Sequence, residues 1–147
     1  MSDYTPTPLI LDTTVLHELA RGEVGTISLI QGYDAAGQPM VVSVLAITST
    51  LMEARDEEAA DAMHGLATME HVTVAPLKGA EQAEDLALMV VTAGLDVTEA
   101  HTAAIADASL CPILTFDADR WQGPSRLLEA GLFTIEIADP DELGEGP

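Results

Sequence analysis

Residues 8–22 read PLILDTTVLHELARG, and this stretch decides the fold class of the chain. It opens with a short apolar run that ends at Asp12, as expected for a buried strand. Thr13 then opens an amphipathic segment that Gly22 closes, and these are ordinary start and stop signals of a helix. A strand that passes directly into a helix is the repeating unit of α/β folds. We therefore expect a strand that ends in an aspartate and a helix directly behind it.

The rest of the chain repeats this alternation. Short apolar runs rich in β-branched residues predict further strands at 40–47, 71–77, 112–116 and 132–137. Amphipathic segments predict helices at 26–37, 48–66, 81–93, 98–109 and 125–130. The pattern indicates one α/β domain over 8–138 with a mostly parallel sheet of four or five strands, and it does not reveal their order. Residues 1–7 are expected to form a disordered lead, and 139–147 an acidic, flexible tail.

Charge is the most unusual feature of the composition. The 147 residues include 25 Asp and Glu but only 5 Lys and Arg, which makes a formal net charge of −20, and the acids are spread over both halves. Since 48% of the residues are apolar, the chain can bury a core, and this excludes a disordered protein. The shortage of cations disfavours contacts with nucleic-acid phosphates. The acidity suits metal cations, basic protein partners or adaptation to a salty interior.

Cysteine usage and hydropathy indicate the cellular setting. Cys111 is the single cysteine, so an internal disulfide and a CxxC metal site are excluded. No stretch approaches the roughly 20 apolar residues of a membrane span. The opening MSDYTPTP lacks the basic and apolar parts of a secretory signal. We expect a protein of the reducing cytoplasm that does not contact a membrane.

Acidic side chains fall where ligands of parallel sheets bind, which is at the carboxyl ends of the strands. Asp12 closes the first expected strand and Asp117 closes the strand at 112–116, while Glu53 and Glu99 lie on helices that start near the same edge. Four converging carboxylates would repel one another unless a cation lay among them. Oxygen ligands favour Mg²⁺ or Mn²⁺, which can activate water and stabilise charge on a phosphodiester.

These acids also have a structural interpretation that needs no ligand. Asp12 can cap the helix that follows it, and Asp117 can form a turn. With 25 acids in the chain, a carboxylate near any given position is common, although Asp12 and Asp117 together favour a site. The four histidines show no metal-binding spacing. His101 is interpreted as a surface or half-buried helical residue.

Two blocks of the sequence resemble the PIN-domain family. LILDTTVLHELARGE (9–23) resembles the opening of that family, in which a strand delivers an aspartate and a Thr or Ser follows it. TEAHTAAIADASLCPILTFDADRW (98–121) is similar to its closing half, in which an acid–Ala pair begins a helix and a strand then ends in a T-x-D signature. The order and spacing of elements agree over about 8–138. The resemblance implies a PIN-like, three-layer α/β/α fold.

The same resemblance implies a function. PIN domains are metal-dependent ribonucleases, and many are toxins of VapBC-type toxin–antitoxin pairs. Matched residue by residue, the resemblance implies catalytic acids at Asp12, Glu53, Glu99 and Asp117, metal ligands at Asp12, Glu99, Asp117 and Asp119, and accessory hydroxyls at Thr14 and Thr115. The implied cofactor is Mg²⁺ or Mn²⁺, the implied substrate is RNA, and the implied partners are a basic antitoxin-like protein and a second copy of the chain.

The sequence departs from the family pattern at two of these positions. Glu99 stands where the family usually has Asp, and the second acid falls on Glu53 only in a longer register, since a shorter one places Ser49 there. The alternative hypothesis is therefore a catalytically degraded PIN-like module that acts by binding a basic protein. A phosphatase reading of Asp117-Ala118-Asp119 as a D-x-D motif is disfavoured, because Arg120 replaces the small hydroxyl or apolar context that this motif requires.

Overall fold

The computed structural model describes residues 6–138 and confirms the α/β class. Along the chain the elements are β1 (Leu9–Leu11), α1 (Thr13–Ala20), α2 (Val24–Ala35), β2 (Met40–Ser43), α3 (Val44–Ala54), α4 (Glu57–Ala67), β3 (Val72–Ala75), α5 (Gly79–Ala93), α6 (Val97–Ser109), β4 (Ile113–Thr115), α7 (Asp119–Arg126) and β5 (Thr134–Glu136). The strands form one all-parallel sheet in the order β3-β2-β1-β4-β5. The expected acidic tail and most of the expected lead lie outside the described residues.

Two helical layers cover the sheet, and the alternation of side chains along the short strands explains why. In β1, Leu9 and Leu11 belong to an apolar cluster with α1, α2, α3 and α4, whereas Ile10 belongs to a second cluster with α5, α6 and α7. A strand buried on both faces carries a continuous apolar run, as LIL does. The described fold is therefore the three-layer α/β/α sandwich that the resemblance implied.

The register of the strands sets a row of side chains at their carboxyl ends. Leu11 pairs with Val42 of β2 and with Leu114 of β4, so the next residues, Ser43, Asp12 and Thr115, stand level on adjacent strands. All three are buried. Ala75 continues the row beside Ser43, and Glu136 continues it beside Thr115. The central part of this edge is thus a run of buried polar groups, and each of them needs a hydrogen-bond partner.

The predicted strand at 40–47 is wrong in its second half. β2 ends at Ser43, whose Oγ accepts hydrogen bonds from the N–H groups of Leu45 (3.0 Å) and Ala46 (3.2 Å). A serine at this position satisfies N–H groups that the first helical turn leaves free, so it starts a helix even inside an apolar run. The following residues of the run, from Val44, are the first turn of α3.

The predicted helix at 48–66 is two helices. Arg55 takes a left-handed backbone conformation (φ 52°) that ends α3, and Asp56 Oδ1 accepts from Ala59 N (2.7 Å) to begin α4. Caps were also misplaced elsewhere, because Asp96 rather than Thr98 caps α6 through the N–H of Glu99. The last predicted helix lies earlier than expected, where Trp121 anchors α7 in the core. Among residues 6–138, no helix has the length and apolar content needed to cross a membrane.

Candidate functional site

Asp12 is the centre of a buried hydrogen-bond network at the edge of the sheet. Only 2% of the residue is exposed. Its Oδ1 accepts from the hydroxyl of Thr14 (2.5 Å) and from the N–H groups of Thr14 (3.0 Å) and Val15 (3.3 Å). Its Oδ2 accepts from the indole Nε1–H of Trp121 (3.0 Å). Both carboxylate oxygens are therefore bound to donors of the chain itself, and Asp12 is the N-cap of α1.

Thr14 joins the end of β1 to the end of β4. Besides donating to Asp12, its hydroxyl accepts from the N–H of Phe116 (2.9 Å) and lies 3.3 Å from the hydroxyl of Thr115. The Thr115 hydroxyl in turn accepts from the N–H of Asp117 (3.0 Å). The structure thus brings Asp12, Thr14, Thr115 and the backbone of Asp117 into one network. Segments about 100 residues apart in sequence meet here because β1 and β4 are neighbours.

The Asp117 side chain is exposed and faces the start of α7. Its Oδ1 lies 3.4 Å from the N–H of Arg120, a weak capping contact. The neighbouring N–H of Ala118 donates to Glu136 Oε1 on β5 (3.0 Å), a contact that the sequence did not indicate. Asp119 is exposed and accepts from the side-chain amide of Gln122 (3.1 Å). Both aspartates therefore make local contacts within the loop and first turn of α7.

Glu99 is neutralised by a cation of the protein. Its Oε2 accepts from Nε of Arg120, and 12% of the Glu99 side chain is exposed. The hydrogen bond to Glu99 raises the pKa of Arg120, and the nearby charges of Asp96 and Asp117 act in the same direction. A guanidinium is thus already present among the acids that the sequence assigned to a metal ion. No motif had indicated this role for Arg120.

Glu53 lies in the last turn of α3, away from the end of β2. Ten residues separate it from the end of β2, which is about 15 Å along a helix axis. Its carboxylate lies 3.2 Å from His17 Nε2 on α1, and the two residues line a cleft of 410 Å³ whose wall also includes Thr14 and Phe116 of the network around Asp12. In the described chain, His17 Nε2 is the buried side-chain polar atom that makes no hydrogen bond of acceptable geometry. Ser49, the alternative second position, is half-buried on α3.

The implied divalent metal does not fit this arrangement of donors. Between residues 6 and 138, no group of three or more His, Cys, Asp or Glu side chains lies close enough to hold an ion. Both oxygens of Asp12 accept hydrogen bonds, Glu99 is paired with Arg120, and the exposed Glu53 lies 3.2 Å from His17 Nε2. A metal ion bound by both Asp12 and Glu99 would compete with Trp121 for Asp12 Oδ2 and with Arg120 for Glu99.

A second buried polar contact lies beside this network and was missed by the sequence analysis. His101 Nδ1 lies 2.6 Å from the hydroxyl of Ser43, and both residues are buried. The Ser43 oxygen already accepts two N–H groups of α3, so its own proton points to the imidazole, and His101 Nδ1 is the acceptor of a neutral ring. Burial lowers the pKa of His101 and favours the same neutral form.

Comparison with known proteins identifies the fold. No protein-family model matches the sequence, and no curated protein is significantly similar to it. Among solved structures, a chain of VapBC2 from Rickettsia felis, crystallised with a DNA fragment from its promoter, superposes with a TM-score of 0.61 at 8% identity over 89% of this chain and 99% of that one. The protein PAE2754 from Pyrobaculum aerophilum superposes with a TM-score of 0.53 at 18% identity over 86% and 83%. The chain therefore has a PIN-like, VapC-like fold, and at such low identity the likeness shows the fold alone.

Proposed function

We propose that this chain is a PIN-like module that acts by binding a basic protein partner and does not cleave RNA through a metal ion. The observation that carries this proposal is the state of its acidic residues. Of the four acids that the resemblance assigns to a metal, Asp12 and Glu99 are instead bound by donors of the chain itself, and Asp117 and Asp119 are exposed. Asp12, the position that most strongly resembles the family motif, is the clearest case.

Asp12 acts as a structural carboxylate. Its four donors include a buried indole N–H and two backbone N–H groups of α1. A cation that took the place of the Trp121 N–H on Oδ2 would leave that donor buried without an acceptor, at a cost of about 1–3 kcal/mol. The contacts of Asp12 thus favour a capped, closed edge of the sheet over an open coordination site.

Arg120 provides the positive charge that a cluster of acids requires. It is bonded to Glu99, and Asp96 and Asp117 also raise its pKa. An arginine keeps its charge at every physiological pH. Arg120 therefore neutralises Glu99 without an external ion, which supports a module that has lost the chemistry of its fold.

The distribution of cations also argues against an RNA substrate. Affinity for nucleic acid depends on the number of Lys and Arg side chains that reach phosphates. This chain has five, and Arg21 and Arg120 are paired with its own Glu18 and Glu99. A net charge of −20 repels a polyanion and attracts a basic polypeptide.

The chemistry of the partner follows from this charge. We infer a basic protein or a basic segment of one, comparable in charge to an antitoxin tail. A chain of the same fold occurs in the VapBC2 complex from Rickettsia felis, so this architecture is known in a complex described together with DNA. An acidic module could reach DNA only through such a partner, because its own surface repels phosphates.

One observation favours a second function, that of a Mg²⁺- or Mn²⁺-dependent endoribonuclease. The network through Thr14 and Thr115 brings Asp12 and Asp117 to the same edge, as a PIN nuclease requires. In that case Asp12, Glu99, Asp117 and Asp119 would hold the ion, with Glu53 or Ser49 at the remaining position. The ion would then compete with Trp121 and Arg120 for oxygens of Asp12 and Glu99.

Two measurements separate these functions. The first is calorimetric titration of the wild-type chain with Mn²⁺, and the second is cleavage of a mixed RNA pool with Mg²⁺ or Mn²⁺ by wild type and by Asp117→Asn. Asp117 is exposed, so this variant keeps the buried network and folds. We expect no Mn²⁺ binding, and equal background cleavage by both proteins. Metal-dependent cleavage by the wild type that Asp117→Asn abolishes would overturn the proposal in favour of the nuclease.

A further inference from the structure

The outer surface of α5 and α6 carries apolar side chains that the fold does not cover. Leu88 and Val91, one turn apart on α5, are 65% and 82% exposed. Beside them a groove of 310 Å³ runs between α5 and α6. Its lining includes the apolar side chains of Leu88, Met89, Ala104 and Leu128 together with the carboxylates of Asp85 and Asp107. We call this surface the α5–α6 groove.

The groove is set in a strongly acidic surface. Besides Glu99, which is paired with Arg120, the helices α5 and α6 carry Glu81, Glu84, Asp85 and Asp107, and they contain no Lys or Arg. Glu84 and Asp85 lie one turn before Leu88, so carboxylates flank the apolar floor along α5, and Asp107 faces them from α6. An apolar floor with carboxylates on both sides is complementary to a helix that has an apolar stripe between basic side chains.

The charge also discriminates between occupants. A second copy of this chain would bring another net charge of −20 against the same acids. A cationic helix would gain attraction from the same charges. The groove volume accommodates a few aliphatic side chains, which is what one face of a short helix presents.

We propose that the α5–α6 groove is the docking surface for a basic amphipathic helix of a protein partner, whose apolar side chains pack on Leu88 and Met89 while its Lys or Arg side chains meet Asp85 and Asp107. This inference rests on the proposed function, since it assigns the basic partner to a surface. The groove lies on the helical layer formed by α5, α6 and α7. The cleft between His17 and Glu53 lies on the opposite layer.

The probe is a synthetic, fluorescently labelled helical peptide about four turns long, with leucines three and four positions apart and lysines on the remaining faces. Two control peptides keep its length. One replaces the leucines by serine and keeps the charge, and the other replaces the lysines by glutamate and keeps the apolar stripe. Binding to the full chain is measured by fluorescence anisotropy at several salt concentrations. We expect the parent peptide to bind and both controls to bind at least about tenfold more weakly.

Matched variants test where the peptide binds. Leu88→Ser is paired with Met52→Ser on α3, since both wild-type side chains are 65% exposed. The double variant Asp85→Asn, Asp107→Asn is paired with Asp61→Asn, Glu70→Gln, which removes two exposed charges on the opposite layer. We expect about tenfold weaker binding in Leu88→Ser and in the first double variant, with a smaller salt dependence in the latter. Both control variants should bind as the wild type does.

Several results would overturn the proposal. One is equal weakening in the two double variants, which would mean that only net charge matters. Another is an NMR titration in which the amide shifts map the bound peptide onto α1 and α3. This result would contradict the α5–α6 groove as the docking surface but would still agree with a basic protein partner. A third is a concentration-dependent dimer that Leu88→Ser abolishes, because the groove would then be covered by a second copy. If the nuclease assay is positive and the peptide still binds the groove, the proposed function fails and the docking surface does not.

Discussion

Asp12 and Glu53 were both assigned to one anionic site, yet they lie in opposite environments. Asp12 is buried and accepts four hydrogen bonds, one of them from an indole 109 positions away in sequence. The Glu53 side chain is 70% exposed and lies beside the imidazole of His17 on a neighbouring helix. A buried carboxylate must be fully hydrogen-bonded, whereas an exposed one is satisfied by water. The position of Asp12 at the end of a strand therefore indicates a buried, hydrogen-bonded residue, and it does not by itself indicate a catalytic one.

The sharpest test of this difference is Asp12→Ala. It removes the N-cap of α1 and leaves the Trp121 N–H buried without an acceptor. We expect the free energy of unfolding to fall by about 3 kcal/mol, from about 1 for the cap and about 2 for the unpaired donor. Urea denaturation followed by circular dichroism measures it. A loss under about 1 kcal/mol would mean that Asp12 is not part of the structural network.

Trp121→Phe tests the same hydrogen bond by removing its donor. It keeps an aromatic ring in the core and removes the Nε1–H that binds Asp12 Oδ2. We expect a loss of about 2 kcal/mol, because a buried carboxylate oxygen is left with no donor. The double variant with Asp12→Ala should lose clearly less stability than the sum of the two single losses, since both substitutions remove the same interaction. Full additivity in a double-mutant cycle would contradict the contact.

Arg120→Gln tests the internal counter-ion. The pair with Glu99 is partly exposed, so water screens it, and we expect a loss of about 1 kcal/mol that shrinks as salt is added. Arg126→Gln is the matched control on the same helix, and its stability should stay within about 0.5 kcal/mol of wild type. If added Mn²⁺ restores the stability of Arg120→Gln but leaves wild type unchanged, the acids can accept an external cation once the arginine is gone.

His101 predicts a dependence of stability on pH. Burial holds the pKa of His101 in the folded chain below the ordinary value of 6.5. Between these two pKa values the unfolded chain is protonated at His101 and the folded chain is not. The contribution of the neutral His101 to the free energy of unfolding is therefore complete above pH 6.5 and is lost as the pH falls toward the folded pKa. Urea unfolding at about pH 7.5 and about pH 5.5 should show a larger drop in wild type than in His101→Gln. Identical drops would contradict the buried, neutral imidazole.

The smallest effect is expected for Glu53→Gln. An exposed contact between a carboxylate and a histidine contributes little, so the free energy of unfolding should change by no more than about 0.5 kcal/mol. Set against Asp12→Ala in the same assay, this result would complete the comparison. A loss as large as that of Asp12→Ala would place Glu53 in a network that the described contacts do not contain.

Several features of the fold were readable because they depend on local chemistry. The passage from LIL through Asp12 into a helix was predicted, since a short apolar run followed by a capping residue has one common outcome. The end of β2 was not predicted, because VVSVLAI is as compatible with a continuing buried strand as with the start of a helix. Only the capping contacts of Ser43 decide where the helix starts. The placement of Asp12, Thr14 and Thr115 beside one another followed from the T-x-D resemblance. The roles of Arg120 and His101 had no sequence signal.

By itself the sequence determined the alternation of strands and helices, the acidic composition and the aspartate at the end of β1. These properties depend on residue type and near neighbours, so they can be read along the chain. Only the tertiary structure decided the strand order and the partner of each carboxylate. Trp121 with Asp12, Arg120 with Glu99 and His17 with Glu53 are contacts between distant segments, and they form because packing brings their elements together.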